Sequence, residues 1–302
     1  MTEIQDQATL VGIGRLKRDV RQAFSDLGPR EARFLVDEYY TIQGHRIEAQ
    51  NQVRALADSE EPNTVLEWLY AQHHTVEKEI AKVLAAYADR HVASAWAQTL
   101  LGIGPVLSAG LMAHIDIEKA PTVGHIWRFA GLDPTVRWEP KTKRPWNAAL
   151  KVLCWKMGES FVKVSGRPCI PGGVIPDATA DGSRPPCIPG CQNYGHVWMH
   201  RKALEESRND QLLFADQAEK ALTEKKYDKS TDAYKAYAVG RLPQARIHAR
   251  AKRYAVKLFL AHFHHVLYES TFGEIPPRPY VIEHLGHTHY LSPPNWKDGK
   301  IA

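Results

Sequence analysis

Three of the four cysteines fall in one Pro- and Gly-rich stretch, residues 165–195, and two histidines four residues apart follow it. The candidate metal ligands in this part of the chain are Cys169, Cys187, Cys191, His196 and His200. Cysteine and histidine are the usual ligands of tetrahedral zinc, and an irregular stretch that cannot bury a core commonly needs such a link. We therefore predict a structural zinc site, with free surface thiols as the alternative, because the spacing matches no common zinc-finger pattern.

Two basic clusters predict contacts with a polyanion. Residues 137–146 contain four basic residues, one acid and two tryptophans, a mixture that suits phosphate neutralisation and base stacking. A second run, between Ala233 and Tyr268, has seven Lys/Arg and no acid. The candidate nucleic-acid contacts are Arg137, Lys141, Lys143 and Arg144 in the first cluster and Arg246, Arg250, Arg253 and Lys257 in the second. The last four recur at one helical face, and a solvated basic face is the alternative, as is a core role for the tryptophans.

The segment LLGIGPVLSAGLMAHI, residues 100–115, predicts a helix-hairpin-helix. Gly102 and Gly104 permit a tight turn, and Pro105 suits the first position of the following helix. Exposed backbone amides at that helix start bind phosphate readily. The alternative is a packing turn in which the glycines serve only close approach.

The elements that must position these residues are helical. Apolar residues recur at steps of three and four in two stretches, interrupted once each by Arg46 and His73. Pro62 separates the stretches, so they predict an antiparallel helical hairpin. The hairpin is either a helical core face or a projecting coiled-coil arm that forms a homodimer. The homodimer interpretation is based on large residues that lie off the seam formed by these repeating apolar positions: Phe34, Tyr40, Ile47, Trp68 and Tyr70.

Charge is distributed unevenly along the 302 residues. Residues 1–96 carry 11 Lys/Arg against 15 Asp/Glu, and the remaining 206 residues carry 28 against 19. This asymmetry indicates two tasks, one of them involving a polyanion. There is no apolar run of membrane-spanning length, no secretory signal pattern and no disulfide-rich composition, so we expect a cytoplasmic protein.

Four segments carry a family resemblance: residues 100–115, WRFAGLDP at 127–134, KTKRPWNAALKVLCWKM at 141–157, and residues 245–269. They resemble the C-terminal half of the insertion-sequence transposases that act as bridge-RNA recombinases. The order of elements is also similar to the Nop domain of box C/D ribonucleoprotein cores and to the Tas proteins of TIGR systems, which use tandem-repeat guide RNAs. The resemblance implies a helical arm (1–95) and a Nop-like domain (96–302) with an insertion at about 165–239.

The departures from that family bear on catalysis. Gly14 stands where the first nuclease aspartate would be, and residues 135–144 contain no serine where the family places its nucleophile. Ser165 lies beyond the next helix, so the nucleophile's role is not transferred to it. No catalytic residue is predicted.

We therefore expect a mainly α protein that carries a guide RNA to target DNA without its own nuclease, resembling the nuclease-less Tas proteins. The first alternative is a degenerate or partner-dependent recombinase subunit. A structural DNA-binding protein without RNA is the second.

Overall fold

A computed structural model describes residues 27–57, 64–169, 191–278 and 291–302. Its elements in chain order are α1 (Pro29–Ala55), α2 (Thr64–Ala88), α3 (Val92–Gln98), α4 (Pro105–His114), a 3-10 turn (Ile117–Lys119), α5 (Val123–Phe129), α6 (Ala148–Val164), α7 (Tyr194–Asp210), α8 (Ala215–Glu224), α9 (Asp232–Ala238), α10 (Gln244–Phe272), β1 (Trp296–Lys297) and β2 (Lys300–Ile301). The two short strands pair antiparallel. The prediction of a mainly α-helical fold is confirmed.

Helices α1 and α2 pack against each other, as the two apolar stretches predict. Arg46, which interrupts the first seam, forms an ion pair with Glu77 of α2, and Gln43 donates a second hydrogen bond to the same carboxylate at 2.9 Å. The guanidinium and these hydrogen bonds lower the pKa of Glu77, although its partial burial, the largest single influence, acts in the opposite direction. The polar interruption of the seam is therefore a cross-helix link.

The hairpin is a core face over one half of its length only. Val36 and Leu84 are fully buried, because this half packs on α4. Tyr40, one of the large residues off the seam, contacts α6 outside the hairpin: the ammonium of Lys156 lies 3.8 Å from its ring centroid. Phe34, by contrast, is 63% exposed.

The main core lies where α10 crosses α3, α6 and α7. Stacked and edge-on rings fill its centre: Trp96, Phe161, Tyr194 and Phe259. Two glycines permit this packing. A Cβ on Gly158 of α6 would stand 3.3 Å from Val256 of α10, and one on Gly195 would stand 2.5 Å from a backbone oxygen of α6.

The region predicted as an insertion divides between two cores. Helix α7 contributes Tyr194 and Val197 to the main core. Helices α8 and α9 form a smaller core with the first turn of α10, centred on Phe214, Tyr237 and Ile247. The last residues of the chain pack on the main core. Trp96 donates a hydrogen bond to the carbonyl of Pro294, and Trp296 donates one to the carboxylate of Glu269.

None of the helices in the described ranges combines the length and the apolar content needed to cross a membrane.

Candidate functional site

Two adjoining grooves on the surface of α6 bring together members of both predicted basic clusters: Arg144 from the first and Arg246 and Arg253 from the second. The first groove, of about 440 Å³, is lined by Trp138, Arg144, Trp146, Ala148, Lys151, Val152 and Trp155. The second groove, of about 460 Å³, is lined by Gly131, Leu132, Lys151, Cys154, Trp155, Gly158, Arg246, Ala249, Lys252, Arg253 and Val256. Lys151 and Trp155 line both, so the two grooves form one continuous surface.

The first groove is positioned by the turn that precedes α6. The side chain of Asn147 caps this helix by accepting a hydrogen bond from the backbone N–H of Leu150 at 2.9 Å. The backbone N–H of Asn147 donates to the carbonyl of Phe129 at 2.8 Å. Trp146 packs on Gly131, whose φ is +66° and whose added Cβ would lie 2.9 Å from the indole. Only glycine fits there, so the sequence Gly-Leu-Asp-Pro fixes the place of Trp146.

A cation lies near the face of each tryptophan in the grooves. The Arg144 guanidinium is 5.6 Å from the Trp138 ring centroid, and the Lys151 ammonium is 4.0 Å from that of Trp146. Lys252 lies 5.5 Å from the Trp155 ring and also forms an ion pair with Glu159. These distances are typical of cation–π contacts. Trp138 and Trp155 remain 40% and 58% exposed, so their rings are open to a ligand.

The cations of the grooves repel one another. Desolvation lowers the pKa of Lys151, and the nearby charges of Arg144 and Arg253 lower it further. Desolvation also lowers the pKa of Arg253, with Arg250 and Arg246 acting in the same direction. Over the described ranges, no acid forms a salt bridge with Lys151, Arg246 or Arg253. A polyanion in the grooves would relieve this repulsion.

The predicted four-residue stripe on α10 divides into three roles. Arg246 and Arg253 line the second groove. Lys257 lies outside it, half-buried with its ammonium 4.1 Å from the Trp127 ring centroid. The expectation that Arg250 contacts a ligand is not supported, because its guanidinium is used internally.

Arg250 points into the junction between the two cores. It donates to Glu205 at 2.8 Å and to Gln217 at 3.2 Å, and it lies 4.5 Å from the Phe214 ring centroid. Glu205 is fully buried and also pairs with Arg201 at 2.5 Å. The geometry therefore assigns Arg250 a structural role.

The remaining predicted contacts lie outside the grooves. Arg137, Lys141 and Lys143 are exposed on the loop that carries Arg144, and they do not line either groove. Gly102, with φ of +92°, packs against α6, where Ser160 donates to its carbonyl at 2.5 Å. Gly104 precedes α4 in extended conformation, and its Cβ position is open. This turn is not part of the groove surface.

Three of the charged and aromatic groove residues were absent from the sequence prediction: Lys151, Trp155 and Lys252. Lys151 and Trp155 are four residues apart in a helical segment, so a helical projection of residues 148–164 places them on one face, away from buried Leu150, Leu153 and Met157. That signal was present in the sequence. The proximity of Lys252 to Trp155 depends on how α6 and α10 pack.

Three of the five predicted metal ligands converge where α6 ends and α7 begins. The Nδ1 of His196 lies 3.5 Å from the Sγ of Cys169 and 3.3 Å from the Sγ of Cys191. All three ligand atoms lie within 4.8 Å of one another, an arrangement that could hold a metal ion. The Nε2 of His196 contacts the carbonyl of Arg167 at 2.9 Å, which leaves Nδ1 as the ligand atom.

The surroundings of this cluster are also ordered by hydrogen bonds. The amide of Asn193 donates to the Cys191 sulfur at 3.4 Å, and the Asn193 side chain caps α7 through Gly195 and bonds the carbonyl of Val164. His200, one turn beyond His196, is not among the converging residues. Cys187 lies outside the described residues.

Comparison of the chain with protein-family models, curated proteins and solved structures finds no match.

Proposed function

We propose that this protein binds RNA through the two grooves on α6. The observation that carries the proposal is the alternation of three tryptophans with five cations on one continuous surface. The cations neutralise phosphates, and the exposed indole faces of Trp138 and Trp155 are suited to stacking on bases. The mutual repulsion of Lys151, Arg144 and Arg253 supports a polyanionic ligand, since binding would relieve it.

The resemblance to nuclease-less Tas proteins indicates a role for the bound RNA. We propose that the bound RNA is a guide that pairs with target DNA, and that the protein itself does not cut the DNA. In this proposal the grooves hold one part of the guide through its phosphates and bases, while base pairing of the remainder selects the target.

The first test is to purify the protein from its native cells and sequence the RNA that accompanies it. A short RNA from a repeat array would support a guide. Ends of a mobile element would instead favour the recombinase alternative, and absence of any RNA, with DNA bound equally well, would contradict the proposal.

The second test locates the binding surface. The double variant Arg246→Glu/Arg253→Glu should weaken RNA binding and reduce the dependence of log K on log salt by about 0.7 per lost contact on a single strand. The matched control is Lys119→Glu/Lys300→Glu, which makes the same charge change at exposed positions outside the grooves. Equal loss in both double variants would show a net-charge effect, not a binding site.

We also propose that Cys169, Cys191 and His196 hold a structural zinc ion. Zinc–sulfur and zinc–nitrogen bonds of about 2.3 and 2.0–2.1 Å at a tetrahedral angle separate the two ligand atoms by about 3.6 Å. The S···N distances of 3.5 and 3.3 Å are close to this value. Cys187 is the proposed fourth ligand. The zinc would join the segment that follows α6 to the start of α7.

A further inference from the structure

We propose that the second groove is a pocket for one unpaired nucleobase, so that the protein selects single-stranded or bulged nucleic acid over uniform duplex. This inference rests on the proposed function, because it specifies which form of nucleic acid the same surface accepts.

The floor of the second groove is apolar and uncharged. It is formed by Gly131, Leu132, Cys154, Gly158 and Val256. Burial raises the pKa of the Cys154 thiol to about 12, so the sulfur is neutral at physiological pH. A polar phosphate gains nothing from such a floor, whereas a planar base buries its face there.

The wall and rim complement the rest of a nucleotide. Trp155 rises at the edge shared with the first groove and offers an exposed ring for stacking. Lys151, Arg246 and Arg253 surround the opening with positive charge that no acid pairs in the described parts of the chain. The volume of about 460 Å³ falls in the range of about 300–1,000 Å³ typical of sites that enclose a small organic group.

Continuity with the first groove favours a polymer of nucleotides over an isolated anion or an acidic peptide. Beyond Trp155, the surface repeats the pattern of a ring beside a cation at Trp146 with Lys151 and at Trp138 with Arg144. A strand of nucleic acid offers a base and a phosphate at each step and matches this repeat. A paired base is already stacked within its helix and must leave it to reach the floor.

The test compares two 12-nucleotide RNA strands of equal length and charge, one complete and one with abasic sites at its four central positions. Binding is measured by fluorescence anisotropy. We expect the wild-type protein to prefer the complete strand by roughly 5- to 150-fold, the range for stacking of one base. A matching RNA duplex should bind no better than the abasic strand.

Four variants separate base recognition from phosphate binding. Trp155→Ala and Ala249→Trp, which fills the groove from α10, should lower affinity for the complete strand to that for the abasic strand. Trp155→Phe should retain most of the preference. Arg253→Glu should weaken both strands by the same factor. Each variant is first checked for native helicity by circular dichroism.

Two outcomes separate the inference from the function on which it rests. Equal wild-type affinity for the complete and abasic strands overturns the base pocket and leaves RNA binding intact. No measurable binding of either strand overturns the proposed function itself. A DNA strand of the same sequence serves as a further arm, and equal affinity for DNA and RNA would place recognition in base and phosphate without the 2′-hydroxyl.

Discussion

Arg250 and Arg253 are three residues apart on one helix, and the structure predicts opposite consequences for their loss. Arg250→Met should destabilise the fold and leave RNA affinity within about two-fold of wild type. Arg253→Met should leave stability nearly unchanged and weaken RNA binding. The difference follows from Glu205, which is fully buried beside Arg250, whereas Arg253 is exposed at the groove.

The magnitude for Arg250 follows from its partner. Removing one member of a buried ion pair costs about 3–5 kcal/mol, because the remaining charge is left in a poorly solvated place. Arg201 still pairs with Glu205 at 2.5 Å, so we expect the lower end, about 3 kcal/mol. For a chain of 302 residues that corresponds to a decrease in Tm of about 5 °C. Arg253→Met should change stability by less than about 0.5 kcal/mol.

Urea unfolding followed by circular dichroism measures the first quantity, and anisotropy with a labelled RNA strand measures the second. A double-mutant cycle identifies the cause: Glu205→Gln removes the buried charge, so Arg250→Met should cost much less in that background. The reasoning is refuted if Arg250→Met unfolds at wild-type urea concentration while its RNA affinity decreases as much as that of Arg253→Met.

Four further predictions concern other parts of the molecule. Protein purified without chelator should contain about one zinc per chain by elemental analysis; Cys191→Ser should lose it and Cys154→Ser, a buried thiol outside the cluster, should keep it, while metal-free protein with freely titrating thiols would contradict the site. His262 is buried between the Tyr194 hydroxyl and the carbonyl of Leu291, and burial lowers its pKa to about 3. Below about pH 6.5 the unfolded state therefore binds a proton that the folded state does not, so stability decreases as pH falls from 6.5 towards 3, by about 2 kcal/mol at pH 5. The stability of His262→Gln should decrease less over this range, and an identical pH profile in the variant would exclude this histidine as a cause. Light scattering of the RNA-free protein should give a homodimer that dissociates when Trp68 and Tyr70 are both changed to Glu, and a mass near one chain at micromolar concentration would reject the dimer. The purified protein with its RNA and magnesium should not cut DNA, since no carboxylate is among the described residues that line the grooves; specific cleavage by the isolated complex would restore the recombinase alternative.

The local pattern of the sequence was sufficient to predict several of the helices. Steps of three and four placed α1 and α2, and Pro105 marked the first position of α4. Caps, breakers and periodicity act over a few residues, so a single chain displays them directly. The grouping of Cys169, Cys191 and His196 was also predicted from the sequence. Cysteine and histidine residues close together along a chain are typical metal ligands.

Tertiary structure alone decided which basic residues line the grooves. In sequence, Arg246, Arg250 and Arg253 are equivalent members of one stripe. Their roles differ because α7 places a buried carboxylate against Arg250, and the Glu205 that supplies it is 45 residues away along the chain. Helical periodicity reports the side of a helix on which a residue lies, but not which neighbouring helix occupies that side.

The arrangement of the groove residues also depends on how the helices pack. Residues 137–146, α6 and α10 each carry part of the groove surface. Lys252 of α10 reaches Trp155 of α6 where these two helices pack closely beside Gly158. Interactions between residues that are close together along the chain can be inferred directly from the sequence. A surface assembled from three separate segments depends on the packing of the whole core, and no local pattern contains that information.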